Sequence, residues 1–97
     1  MRESDPRIEM LWRALARVID PEIGLDIVSL GLVYGVTIDG DLARITHTLT
    51  TPGCPMERII TDGIWTACGA VEGIGRVETD LVWEPEWHSG MIASNAW

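Results

Sequence analysis

Apolar residues recur along this chain in two rhythms. Between Pro6 and Ile19, the residues Ile8, Leu11, Trp12, Leu15, Val18 and Ile19 fall on one helical face. Asp5 is placed to cap that helix, Pro6 suits its first position, and Asp20-Pro21 closes it, because proline disfavours helical geometry in the residue before it. The spacing therefore predicts a helix over Pro6 to Ile19. From Leu32 to Ile38 the period drops to two, which predicts a strand with Leu32, Tyr34, Val36 and Ile38 alternating against Val33, Gly35 and Thr37. Asp39-Gly40 is a hairpin turn signal. A second strand follows from Leu42 to Thr50, with Ala43, Ile45, His47 and Leu49 toward the core and Arg44, Thr46, Thr48 and Thr50 away from it.

The helical rhythm returns from Pro55 to Val71, where Met56, Ile59, Ile60, Ile64, Ala67, Cys68 and Val71 form the apolar stripe and Gly73 stands as the stop. Gly63 and Gly69 inside this helix each cost about 1 kcal/mol against alanine, which close approach to the sheet would explain. A third strand is expected from Arg76 to Trp83, with Val77, Leu81 and Trp83 on one face, and a last helical turn within residues 89–96. The stretch "DPEIGLDIVSLG", residues 20–31, mixes loop formers with Leu25, Ile27, Val28 and Leu30. It reads as a loop packed down on the core, with a short strand or turn inside it. The order is α-β-β-α-β. It predicts an α/β (α+β) two-layer sandwich, helices over one face of a small three-stranded mixed sheet, in a single domain over residues 1–97.

Composition narrows the class. The chain has 97 residues, which suffices for one core without metal or disulfide staples. Fifteen acidic residues against seven basic ones, all arginine, leave a net charge of −8. An acidic surface without a basic run argues against nucleic acid and anionic membrane as partners. No apolar run approaches the roughly 20 residues of a membrane span. The opening "MRESDPRIEM" has no signal-peptide core, so a cytoplasmic, reducing location is expected. The two cysteines, Cys54 and Cys68, sit at the start and in the middle of the second helix. About 1.5 Å of rise per residue puts them roughly 21 Å apart, beyond the reach of a disulfide. Two free thiols with separate roles are expected.

The candidate chemistry lies in "TLTTPGCPM", residues 48–56. Cys54 is the expected N-cap of the second helix, between Pro52 and Pro55. Unpaired backbone N–H groups and the positive end of the helix dipole favour a thiolate there. The bland alternative is an inert loop cysteine. Cys68, in mid-stripe, reads as a small buried hydrophobe. Asp20, Glu22 and Asp26 place three carboxylates in seven residues, open to two readings: a hard-cation site, or turn and cap chemistry. His47 reads as a core histidine with satisfied nitrogens, with a ligand or general base as the competing role. His88 reads as exposed, and Trp83 and Trp87, flanking "EPE", as a clamp for the tail or a patch for a partner. No zinc CxxC pair, phosphate-binding loop, nucleophile elbow or dinucleotide fingerprint occurs.

Three segments together carry a family resemblance: "DPEIGLDIVSLGLVY" (20–34), "TLTTPGCPM" (48–56) and "LVWEPEW" (81–87) with "MI" (91–92). They resemble the SufT/PaaD-like family of iron–sulfur cluster assembly domains. The resemblance implies an iron–sulfur assembly-type α/β fold and a role in building clusters or delivering them to apoproteins. It assigns the reactive cysteine to Cys54, the acidic pair to Asp20 and Glu22, the Thr-Pro step to Thr51 and Pro52, and a structural glycine to Gly31. It implies iron or an iron–sulfur cluster as a transient cofactor, held by Cys54 with Asp20, Glu22 or His47 nearby, and apoproteins and other assembly proteins as partners. Two departures stand out. The family usually carries an aliphatic residue or methionine at position 47, and the cysteine-rich extension of the PaaD branch, tied to a phenylacetyl-CoA oxygenase system, is absent here. The short, general assembly branch is therefore expected.

Three functional classes follow. The first is a non-enzymatic assembly factor acting through Cys54. The second is a thiol enzyme with Cys54 as nucleophile and His47 as base. The third is a client-binding adaptor that touches no metal. A homodimer pairing two Cys54 sites fits the first class.

Overall fold

A computed structural model describes residues 5–50 and 56–93. Helix α1 spans Pro6–Leu15, capped by the Asp5 side chain, which accepts from the Arg7 N–H at 2.9 Å. The same carboxylate pairs with the Arg7 guanidinium at 2.7 Å. That guanidinium also donates to the carbonyls of Gly40 and Gly73, so one arginine ties the helix start to two turns. Helix α1 ends four residues before the expected Ile19. Ala16 and Arg17 form a turn, and Ile19–Asp20 (β1) pairs antiparallel with Leu25–Asp26 (β2). Val18 is buried as the helical period requires, but it is the path into this hairpin that buries it. The packed loop with a short strand is thus present as expected.

Strand β3 spans Val33–Asp39 and β4 spans Leu42–His47, joined by the Asp39-Gly40 turn with Gly40 at φ 65°. Helix α2 spans Met56–Gly69, and β5 spans Arg76–Leu81. The three long strands form one sheet in the order β3-β4-β5, with β3 and β4 antiparallel and β4 and β5 parallel. This is the expected mixed sheet, with a crossover through α2 between its parallel members. The boundaries of β4 and β5 fall short of the expected Thr50 and Trp83. The Val82 N–H still reaches the His47 carbonyl at 2.8 Å, which continues the parallel ladder one step.

The inward face of β4 is as the alternation predicts, with Ala43, Ile45 and His47 buried. Past the strand's end Leu49 is buried as expected, but so is Thr48, expected to point away, because the chain turns in there and the Thr48 N–H bonds the Leu32 carbonyl at 2.8 Å. Helices α1 and α2 bury Leu11, Leu15, Ile60, Ile64 and Cys68 against that face. Outward lie Arg44 and Glu78, paired at 3.0 Å on neighbouring strands. Within the strands alternation fails once, between Val33 and Gly35, where the β3 register slips. The irregularity lets Val33 pack on the core beside Leu32 and frees Tyr34 for the tail.

Two glycine expectations differ. A Cβ on Gly63 would stand 2.9 Å from Val18 Cγ1, so the close approach is to the segment after α1 rather than to the sheet, and Gly69 faces open space. Helix α2 stops at Gly69, two residues before Val71, and Gly73 adopts φ 92° in the turn that follows. Ser89–Met91 form one 3-10 turn, the described part of the helical turn expected within 89–96.

Candidate functional site at the carboxyl end of the parallel strands

Parallel strands joined by a helix gather three things at one end: the carboxyl ends of both strands, the helix N-terminus and the loop between. Here those are His47 on β4, Leu81 on β5 and the start of α2 at Met56. The segment carrying Thr51, Pro52 and Cys54 connects Thr50 to α2. Cys54, Thr51 and the expected Cys54 cap lie outside the described residues.

His47 is 1% exposed. Its Nδ1 lies 3.4 Å from the Thr48 carbonyl, and among the described residues its Nε2 has no hydrogen-bond partner. The expected core position is therefore correct, while of the two nitrogens expected to be satisfied Nε2 finds no partner among the described residues. An Nδ1–H pointing at a carbonyl leaves Nε2 as a bare lone pair. Burial holds the imidazole pKa below its ordinary 6.5, against the opposing influence of the Thr48 carbonyl, Glu57 and Asp80. His47 is thus neutral at pH 7.

The acidic motif resolves toward turn chemistry. Asp20 is 2% exposed, and its Oδ1 accepts from the Glu22 N–H at 2.9 Å. Its backbone carbonyl accepts from Ile23 and Gly24. Asp26 Oδ2 accepts from the Ser29 N–H at 2.9 Å. The Glu22 residue is exposed. Among the described residues no three His, Cys, Asp or Glu side chains converge as a metal site. Cys68 is fully buried, and burial pushes its thiol up to about 11, so it is protonated and inert as expected.

The tail builds the remaining wall. The Tyr34 hydroxyl donates to the Pro85 carbonyl at 2.7 Å, and Trp87 Nε1 donates to the Leu30 carbonyl at 2.7 Å. The Ala93 N–H reaches the Ser29 carbonyl at 2.7 Å. Gly31, at φ 79°, makes this docking possible, since a Cβ there would meet the Met91 carbonyl at 2.6 Å. Trp87 thus clamps the tail, while Trp83 stays 40% exposed. His88 is exposed and its Nδ1 accepts from the Gly90 N–H, closing the 3-10 turn. Between tail and strand end lies a cavity of about 230 Å³ lined by Leu49, Thr50, Trp83, Glu84, Glu86 and Trp87. The "WEPEW" spacing was its signal in the sequence, but alternation could not show that both tryptophans and both glutamates border one hollow. A larger groove of about 490 Å³ between α1 and α2 has no thiol, imidazole or carboxylate in its lining.

A mixed sheet under two helices, with a thiol-bearing segment leading into the second helix, defines an α/β assembly-type domain. Residues 8–79 match the family model described as iron–sulfur cluster assembly protein, and the chain belongs to that family. It is 46% identical over 80 residues to the Fe-S protein maturation auxiliary factor YitW of Bacillus subtilis (strain 168), covering 81% of this chain and 78% of that one. It is 42% identical over 80 residues to the Fe-S protein maturation auxiliary factor SufT of Staphylococcus aureus (strain USA300), covering 81% and 91%. The crystal structure of a domain of unknown function, DUF59, from Bacillus anthracis superposes with a TM-score of 0.88 at 39% identity, covering 93% of this chain and 87% of that one.

Proposed function

We propose that this protein serves the maturation of iron–sulfur proteins, with Cys54 as the thiol that handles the cargo. Family membership carries the reading, because relatives named for Fe-S protein maturation match across most of this chain and most of their own length. The cargo is iron or an iron–sulfur cluster, and the partners are apoproteins and other assembly proteins.

Cluster ligation takes about four ligands. One cysteine supplies one of them, so cargo on Cys54 draws the others from a carboxylate, a small thiol, a client cysteine or a second copy of the chain. Asp20 secures its hairpin turn through the Glu22 N–H, and on this reading Asp20, Glu22 and Thr51 serve the same cargo chemistry as Cys54. No described helix is long and apolar enough to cross a membrane.

The test is anaerobic reconstitution with iron and sulfide, followed by transfer to an apoprotein. The parent protein takes up cluster and passes it on, and Cys54→Ala does neither. Equal uptake and transfer by the variant overturns the role of Cys54. A second reading, an adaptor that recognises clients without metal, is favoured by one observation: the exposed Trp83 beside a cavity. On that reading Cys54→Ser still supports client maturation in cells, while loss of Trp83 does not.

A further inference from the structure

The cavity at the tail combines two features that ordinary packing does not require. Its lining brings together two tryptophans, Trp83 and Trp87, and two glutamates, Glu84 and Glu86. The backbone that carries them is strapped down at Pro85 by Tyr34 and at Trp87 by the bond to the Leu30 carbonyl. The walls are therefore largely preformed, which lowers the ordering cost of binding.

We propose that this cavity is a receptor for an arginine side chain presented by a partner protein. Aromatic faces attract cations through the ring quadrupole, and a planar guanidinium stacks on them better than a compact ammonium. Carboxylates beside the rings supply charge-assisted and bidentate acceptors for the same group. An apolar side chain in this place would shield Glu84 and Glu86 from water with no compensating bond. An anion would meet two carboxylates on a chain of net charge −8. A volume of about 230 Å³ is below the range of drug-sized pockets and fits one side chain. The overall negative charge draws a basic partner toward this surface. The inference names a recognition element beyond the maturation reading, and no step of it uses Cys54 or metal.

Titrating N-acetyl-arginine amide into the full chain, followed by amide and indole N–H resonances, tests the proposal. N-acetyl-lysine amide, N-acetyl-citrulline amide and spermidine serve as controls. The expected result is saturable shifts at Trp83, Glu84, Glu86, Leu49 and Thr50, with arginine binding more tightly than lysine and with no response to neutral citrulline. Trp83→Ala weakens arginine binding about three- to tenfold, the scale of one cation–aromatic contact. The Glu84→Gln/Glu86→Gln double variant, exposed and outside the core, weakens it at least as much. An unchanged Trp87 indole resonance verifies that each variant keeps the tail docked. Equal shifts with citrulline, tighter binding of spermidine than of arginine, or unaltered affinity in both variants overturns the proposal. A Cys54→Ala protein binds arginine like the parent, so failure of this test and failure of the cargo test are separate results.

Discussion

Replacing His47 by leucine should make this protein more stable, and increasingly so as the pH falls. The parent buries an imidazole at 1% exposure with Nε2 unpartnered among the described residues and Nδ1 at a long 3.4 Å from its acceptor. Leaving a buried polar atom unsatisfied costs about 1–3 kcal/mol. Leucine removes that cost and adds hydrocarbon to a site facing the apolar cluster. The ladder bond from the Val82 N–H uses the His47 carbonyl and survives the change. A gain of about 1–2 kcal/mol at pH 7.5 is expected, which in a domain of this size raises the melting temperature by about 4–15 °C. The pH dependence follows from linkage. The folded-state pKa of His47 is held below 6.5 by burial, so the unfolded chain binds the proton more readily. The stability contributed by keeping the ring neutral is full above 6.5 and is lost as pH falls below it. At pH 5.5 the loss reaches at most about 1.4 kcal/mol, the worth of one pH unit. The leucine variant lacks this term. Its advantage over the parent in urea denaturation should therefore widen between pH 7.5 and pH 5.5. A variant less stable than the parent at pH 7.5, or an advantage that does not change with pH, refutes the reasoning. If maturation falls while stability rises, Nε2 serves the site and not the core.

The remaining predictions concern the second thiol and the tail. Iodoacetamide on the native protein at pH 8 should leave Cys68 unmodified until denaturant is added, because the thiol is buried and pushed up to about 11; native labelling of Cys68 at the rate of a free thiol contradicts this. Gly31→Ala should cost at least about 2 kcal/mol in urea denaturation, from the left-handed backbone and the carbonyl 2.6 Å from the added Cβ; a change under about 0.5 kcal/mol removes the argument. Tyr34→Phe should cost about 0.5–1.5 kcal/mol and speed hydrogen exchange at the Met91, Ile92 and Ala93 amides, with exchange in β3 and β4 unchanged. Uniform acceleration across the sheet would mean that the strap acts on the whole fold.

Local periodicity was a sound guide to the existence and order of α2, β3, β4 and β5, because each turns one apolar face to the shared core, and it missed the slip in β3 between Val33 and Gly35. It was also right about Asp5, Gly40 and Cys68, whose roles depend on a few neighbouring residues. It overran α1, because Val18 falls on the helical face by phase although it belongs to the turn into the hairpin. It left the acidic residues ambiguous, since turn formation and cation binding use the same side chains; the structure shows Asp20 and Asp26 accepting from the Glu22 and Ser29 N–H groups. The family motifs around Cys54 were legible as sequence, and the reactive role assigned to that thiol remains a proposal.

What the sequence alone determined was therefore the order of elements, the inward set Ala43, Ile45, His47 and Leu49, and the family, all of which rest on spacing along the chain. What only the tertiary structure decided was which residues from distant segments meet. Trp87 finds the Leu30 carbonyl across fifty-seven positions, and Tyr34 finds the Pro85 carbonyl across fifty-one. The His47 Nε2, without a partner among the described residues, belongs here too, since whether a buried nitrogen has a partner depends on what every element packed around it presents. Spacing encodes which way a side chain points within its own element; it carries no direct record of the polar group that another element brings opposite.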